Sequence, residues 1–398
     1  MISEPEGAGG GAAGVPLRFL IISSNGSWGG SEALWSQTAL RLAEAGHHVT
    51  AIKGPMERGE PAIRRLAAGG VTLIDMRGLP LVPRRLLNWV LGLSWPLDSL
   101  VRSLRLFFAL RRPYDLVLVS QGTNLDGLLA GKRVRRRGLR YGILVHKAAA
   151  YDWPISEIYE ELRAYYRGAR FCLFVSEANR ALTEEQLGFR LAHAEVVRNP
   201  CSIPRDVAIG WPEDETLFRL ACVGRLFPRE KGQDILLRVL GREKWKNRPL
   251  AVSFFGGGDN AAALRGMAEL LQVRATFAGH GEPEAIWAAN HILVVPSRSE
   301  GLPMVVAEAM MAGRIAVVTP AGGTAEIVED AVTGFVADTV SEDALDAALE
   351  RAWQRRHEWR AMGDAAAAAI RSAIPEDPVG LLADRLVAEA RVGRGGAA

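Results

Sequence analysis

From residue 17 onward the chain alternates between short apolar runs and stretches of helical periodicity, and Gly- or Ser-rich turns join them. That rhythm is the signature of repeated β-α units, which close only into parallel sheets covered by helices. In the first half, residues 17–23, 49–53, 71–75, 116–120, 141–145 and 171–176 read as strands. In the second half, 219–223, 252–256, 275–278, 292–295 and 315–319 repeat the pattern. Ser31 is placed to cap the first helix, which should stop near Gly46. Between the two sets lies 198–206 with Pro200 and Pro204, the best linker. The expected fold class is α/β, with two Rossmann-like doubly wound domains facing a cleft. Their expected extents are 17–200 and 201–374, after a disordered leader at 1–16. A last helix within 375–398 would cross back onto the first domain. Open parallel sheets bind ligands beyond the carboxyl ends of their strands, so loops just after strands should line the cleft.

A length of 398 residues suits two domains. Basic residues number 48 and acidic ones 45, so charge does not argue for nucleic acid. Cys172, Cys201 and Cys222 are odd in number and far apart. They make neither a metal spacing nor a disulfide framework, which fits a reducing, cytoplasmic setting. Residues 1–14 lack the basic and apolar regions of a signal peptide, and no apolar run is long enough to span a membrane.

The strongest local signal is the run from Ser297 to Glu308. A buried strand at 292–295 leads into a loop carrying Glu300 and Gly301. Pro303 then suits the first turn of a helix that runs to about Met311 and stops at Gly313. Such a helix start presents free N–H groups and a positive dipole end, which suits a phosphate. Glu300 in the loop and Glu308 inside the helix would bracket a ligand, with hydroxyls as natural partners. Alone, the pair is equally a capped helix with two solvated carboxylates. The segment from Cys222 to Gly232 follows the first strand of the second half and offers Arg225 and Lys231. Two cations at a strand's carboxyl end can neutralise a diphosphate. Arg229 in the same loop reads as solvent-facing.

These motifs together resemble the retaining GT-B glycosyltransferases of family 4. The resemblance rests on Gly224-Arg225-Leu226 with Lys231-Gly232, on the Glu300 to Glu308 spacing, on Gly323-Thr-Ala-Glu326 and on Gly334. In the first half it rests on Gly29-Gly30-Ser31-Glu32 and on Gly46-His-His-Val49. It implies transfer of a sugar from a nucleoside diphosphate to an acceptor hydroxyl, in bacterial cell-surface glycan, glycolipid or natural-product synthesis. By that resemblance Arg225 and Lys231 bind the diphosphate, Glu308 the ribose, and Glu300 the sugar. Gly301 and Leu302 offer backbone N–H groups to sugar or phosphate where the helix starts at Pro303, while Gly279 and His280 meet the base. Gly29 and Gly30 admit the diphosphate without a Cβ in the way, and His146 lies near the donor sugar. No Asp-x-Asp motif stands in a suitable place, so neither a metal nor a cofactor is expected. Leu302-Pro303, Arg314 and Lys147 depart from the commonest family pattern.

A non-catalytic nucleotide-sugar binder or a GT-B epimerase is the alternative. An NAD-linked enzyme is disfavoured because 26–30 lacks the G-x-G-x-x-G spacing and the second strand ends at Lys53, not an acid. A glycoside hydrolase would use the glutamate pair without the two cations. Residues 84–113 mix Trp89, Trp95, Phe107 and Phe108 with six arginines. They read either as core-facing helices with a solvated basic face, or as a peripheral contact to the inner face of a membrane near a lipid-linked acceptor. Lys132 to Arg137 would add to that basic face.

Overall fold

The computed structural model of the chain describes residues 15–26, 28–56, 59–76, 103–214 and 216–395. The leader therefore lies outside the described residues apart from 15 and 16, as does 84–102 of the basic-aromatic stretch.

Two parallel sheets dominate. The first contains β1 (Arg18–Ser23), β2 (His48–Lys53), β3 (Thr72–Asp75), β4 (Leu116–Gln121), β5 (Tyr141–Val145), β6 (Cys172–Phe174) and β7 (Ala194–Val196), in the order β3-β2-β1-β4-β5-β6-β7. The second contains β8 (Phe218–Val223), β9 (Leu250–Phe255), β10 (Ala275–Gly279), β11 (Ile292–Val295), β12 (Ile315–Val318) and β13 (Gly334–Val336), in the order β10-β9-β8-β11-β12-β13. Every pairing is parallel. The central strands β4, β5, β11 and β12 are buried at every residue. Helices on both faces demand such unbroken apolar runs.

Strand order reverses direction between β1 and β4 in one sheet and between β8 and β11 in the other. Crevices open at these switch points. The loops after β1 and β4 and the loops after β8 and β11 are therefore the natural ligand sites.

Three local expectations change. The helix Gly30–Glu44 begins before Ser31, with Gly29 at its N-cap and no side-chain cap. Ser31 instead accepts a hydrogen bond from Asn25 Nδ2 at 2.7 Å. Pro303 takes the N-cap position, one residue before the helix Met304–Met311. The strand expected at 171–176 ends at Phe174, because the Ser176 hydroxyl caps Glu177–Leu187 by accepting from the Asn179 amide at 3.2 Å.

Between β7 and β8 the described residues form neither helix nor strand. The closing helix Pro378–Gly395 packs Val379, Leu382, Ala383, Leu386 and Ala390 into the core of the first sheet, beside Leu34 and Trp35. Residues 103–109 are helical. Lys132 and Arg135, from the second basic cluster, both pair with Glu161. Among the described residues no helix is long and apolar enough to cross a membrane.

Candidate functional site

The loop after β8 is drawn tight against the loop after β9. Gly256 has φ +124°, and a Cβ there would lie 2.2 Å from the Gly224 carbonyl oxygen. The chain then forms one short helical turn, Pro228–Lys231. Arg225 remains more than half exposed; its guanidinium lies 5.0 Å from the Phe227 ring centroid and pairs with Glu230 at 3.1 Å. Lys231 reaches across to the loop after β11, where its Nζ donates to both Glu300 oxygens, at 2.7 and 2.8 Å. Ser297 Oγ donates to the same carboxylate at 2.7 Å. Glu300 is thus a buried, triply bonded group rather than a solvated one.

Behind Glu300 the helix Met304–Met311 buries Val306, Ala307, Ala309, Met310 and Met311, and Gly313 at φ +73° ends it. Leu302 inserts its side chain into the same core. Glu308 stands on the helix's open side and accepts from Ser202 Oγ at 2.7 Å. Burial raises its carboxyl above the usual carboxylate range, against the Ser202 hydrogen bond. Gly279 closes β10 with φ +74°, and His280 beyond it is exposed.

The first half meets this surface closely. His146 follows β5, and a Cβ on Gly301 would lie 1.8 Å from its carbonyl oxygen. A Cβ on Gly30 would lie 2.9 Å from Met304 Cγ, so the Gly-rich loop faces the helix start. Gly29 is extended, and among the described residues no atom lies within 4 Å of such a Cβ. The His146 ring is buried, with Nε2 at 3.1 Å from Ser120 Oγ and Nδ1 without a hydrogen-bond partner among the described residues. Burial pushes its pKa down to about 4, so the imidazole is neutral around pH 7.

Of the twelve residues singled out from the sequence, most lie in loops or at helix starts after strands, while Gly279 ends β10, Lys231 ends the Pro228–Lys231 turn and Glu308 lies inside the helix Met304–Met311. Arg225, Lys231, Glu300 and Glu308 sit in the second half beside its switch point, with His146 and Gly30 facing them. Arg229 is exposed as expected, with its guanidinium 5.6 Å from the Tyr151 ring centroid.

Several further residues take part, and of these Glu230 carries no local sequence signal. Glu230 gathers Arg225, Lys147 at 2.9 Å and the Tyr151 hydroxyl at 3.3 Å, the last two from the first half. Burial opposes ionisation there, but the Lys147 hydrogen bond and the charges of Lys147, Arg225 and Lys231 hold its carboxyl below the ordinary value. Glu326 ties the halves a second time, accepting from the Ala178 amide at 2.8 Å and pairing with Arg198 at 3.4 Å. Arg314 is structural: its guanidinium bonds the carbonyls of Trp287, Asn290, Ala312 and Gly210 from a buried position. All three cysteines are free. Among the described residues no three His, Cys, Asp or Glu side chains group to hold a metal ion.

Comparison with known proteins places this geometry in a family. Residues 28–203 match the family described as Glycosyltransferase Family 4, and 218–355 match Glycosyl transferases group 1. Over 260 residues the chain is 34% identical to a GDP-mannose-dependent alpha-(1-6)-phosphatidylinositol monomannoside mannosyltransferase of Mycolicibacterium smegmatis, covering 59% of this chain and 67% of that one. A 141-residue stretch is 33% identical to the Vi polysaccharide biosynthesis protein VipC/TviE of Salmonella typhi. That match covers 35% of this chain and only 23% of the longer relative. The fold is shared with Anabaena Alr3699/HepE, solved in complex with UDP, at a TM-score of 0.72 and 18% identity over 94% of this chain and 100% of that one. The chain belongs to family 4 of the glycosyltransferases and has the GT-B fold.

Proposed function

We propose that this family 4 glycosyltransferase moves a sugar from a nucleoside diphosphate to an acceptor hydroxyl with retention of anomeric configuration. The observation that carries the reading is the convergence of Arg225, Lys231 and the amino end of Met304–Met311 beside Glu300. Two cations and a helix start at one spot complement a diphosphate. Glu230 and Glu300 hold those cations by ion pairs. The mannosyltransferase relative is named for GDP-mannose and the Anabaena neighbour was solved with UDP, which supports a nucleotide-sugar donor.

On this reading the diphosphate displaces the carboxylates from Arg225 and Lys231. Glu308 leaves Ser202 for the ribose hydroxyls, and Glu300 turns to the sugar. Gly301 and Leu302 present backbone N–H groups at the phosphate or sugar, and Pro303 fixes the entry to the helix. Gly279 and His280 border the base, and Gly29 and Gly30 cover the diphosphate from the opposite wall. His146 offers its neutral ring, with Nδ1 facing the sugar. As the sugar–phosphate C–O bond breaks, charge builds on the leaving diphosphate and the two cations and the helix start stabilise it. The acceptor oxygen bonds to the anomeric carbon from the same face, and its proton passes to the departing phosphate oxygen. The fixed cations do the charge neutralisation, so turnover should persist in a chelator.

A thermal-shift screen against UDP-, GDP-, ADP- and dTDP-sugars identifies the donor. With that donor, Arg225→Ala and Lys231→Ala should each lower turnover at least about tenfold, since removing one preorganised charge-stabilising group can cost ~10²–10³. Near-normal turnover in both variants removes the mechanism, and inverted configuration in the product, read by proton NMR, removes retention.

A further inference from the structure

The loop that follows His146 carries exposed rings on an immobilised backbone. Asn179 Oδ1 accepts from the Ala148 amide at 2.6 Å. The buried Gln186 donates its Nε2 to the carbonyls of Ala149 and Asp152, both at 2.9 Å, while its Oε1 accepts from Asn124 Nδ2 at 2.5 Å. The Asn124 amide in turn donates to the Lys147 carbonyl at 2.9 Å. On this base stand Tyr151, Trp153 and Ile155, with 51%, 56% and 61% of their surface exposed. The Trp153 indole is fixed by its Nε1–H, which donates to the Ala150 carbonyl at 2.9 Å. Tyr151 is fixed by the Arg229 guanidinium near its ring and by its hydroxyl on Glu230.

Loops that hold large apolar side chains in solvent ordinarily bury them or move. Here the buried side chains of Asn179 and Gln186, with the Asn124 main-chain amide, hold the backbone so that the rings stay out, which is how a rigid scaffold presents a binding surface. The position narrows the ligand. Glu230 joins Tyr151 to Arg225 and Lys147, so Tyr151 stands at the edge of the site described above, with Trp153 two residues further along the same loop.

We propose that Tyr151 and Trp153 form the acceptor subsite, and that the acceptor is a saccharide with one pyranose ring lying on the Trp153 indole. The assignment of these rings to an acceptor rests on the transfer reading. A pyranose has an apolar C–H face and a rim of hydroxyls. The indole supplies an apolar plane, and the Tyr151 hydroxyl with the carboxylates of Asp152 and Glu230 supplies polar partners at its edge. An anionic lipid surface fits worse, because exposed Asp152 and Glu157 flank the rings and like charges repel.

Saturation-transfer NMR on the full chain, with UDP present, tests the subsite. The probes are the methyl pyranosides of glucose, galactose, mannose and N-acetylglucosamine. At least one should take saturation on its ring protons from the wild type. Trp153→Ala should lose that signal roughly fivefold or more, the scale of one aromatic contact, while Trp153→Phe keeps most of it. The UDP signals should be equal in all three proteins, which shows that the variants are folded. An unchanged glycoside signal in Trp153→Ala, or no glycoside signal from the wild type, overturns the proposal. So does Trp153-dependent flotation with phosphatidylglycerol vesicles, which would assign the rings to lipid. Absence of signals from UDP, and likewise from GDP, ADP and dTDP, in every protein would instead defeat the donor reading, and the subsite would still be judged by its glycoside signal.

Discussion

Replacing Gly301 by alanine tests how closely the two halves must approach for transfer. A Cβ there would lie 1.8 Å from the His146 carbonyl oxygen and 3.2 Å from Val175 Cγ2. Real Cβ contacts stay above 3.0 Å, so something must move by at least 3.0 − 1.8 = 1.2 Å. The obstacle is backbone, and it cannot swing aside as a long side chain would. His146 is also anchored, its amide donating to the Gln121 carbonyl at 3.1 Å and its ring bonded to Ser120. The displacement therefore falls on the cleft between facing loops rather than inside either core. A misplacement of about 1 Å around a reacting centre can cost about 10²-fold in rate. Turnover of Gly301→Ala should fall by about that factor. The donor KM should change less, because Arg225, Lys231 and Glu308 all belong to the second half and keep their mutual geometry. Initial-rate kinetics over a range of donor concentrations gives both numbers, and thermal melts show whether the cores are intact. Wild-type turnover in a folded Gly301→Ala enzyme would refute the claim that this close approach is needed for transfer.

Three further outcomes follow from the charges. His146 has a folded pKa of about 4 against 6.5 when unperturbed, so no limb of the turnover–pH profile near 6.5 should disappear in His146→Gln. The same depressed value makes the unfolded chain the first to take the proton. The stability due to a neutral His146 is then fully present above 6.5 and lost as pH falls toward 4, by about 3 kcal/mol at most. Urea midpoints of wild type and His146→Gln at pH 7 and 4.5 should differ by unequal amounts, and equal differences would contradict the burial argument. Glu230→Gln removes a carboxylate that competes for Arg225. UDP should then bind roughly fivefold more tightly, on the scale of ~1 kcal/mol for one charge pair in a watery site. The gain should shrink with salt. Weaker UDP binding in that variant would mean that Glu230 orders Arg225 for the ligand rather than competing with it.

The parts of this architecture that could be read from sequence are those whose cause is local. Strands β4, β5, β11 and β12 are apolar at almost every position because helices cover both faces of the sheets. Strands β7 and β13 escaped notice because each has three residues at a sheet edge, too few for any period to show. Ser31 has the chemistry of a cap, but Asn25, six residues upstream, holds its hydroxyl and the helix starts earlier. The cations, glutamates and glycines of the site could be picked out because each follows a strand end. Glu230 could not, since Lys147 and Tyr151 reach it only once the two halves face each other.

The two halves also show why similar β-α-β turns need not do similar work. In a dinucleotide-binding unit an acidic residue at the end of the second strand holds a ribose hydroxyl. Here that position is Lys53, whose ammonium pairs with Glu32 at 3.0 Å, with both side chains only 1% exposed. Lys53 also bonds the Asn25 carbonyl, and Trp35 donates to Glu32 at 2.9 Å. The first half's Gly-rich loop is thus tied from behind by charges that neutralise one another, and Glu32 is spent within the fold. In the second half the corresponding loop after β8 leaves Arg225 more than half exposed, and among the described residues Glu308 accepts one side-chain hydrogen bond, from Ser202. A pair sealed on both sides, as Lys53–Glu32 is, has little reason to exchange partners for a ligand, since separating it leaves a charge uncompensated; in the Lys231–Glu300 pair the lysine stays 25% exposed and can meet an incoming phosphate. Exposed or singly bonded groups exchange at small cost. That difference supports placing the nucleotide on the second half and leaving the first to supply the opposing wall and His146.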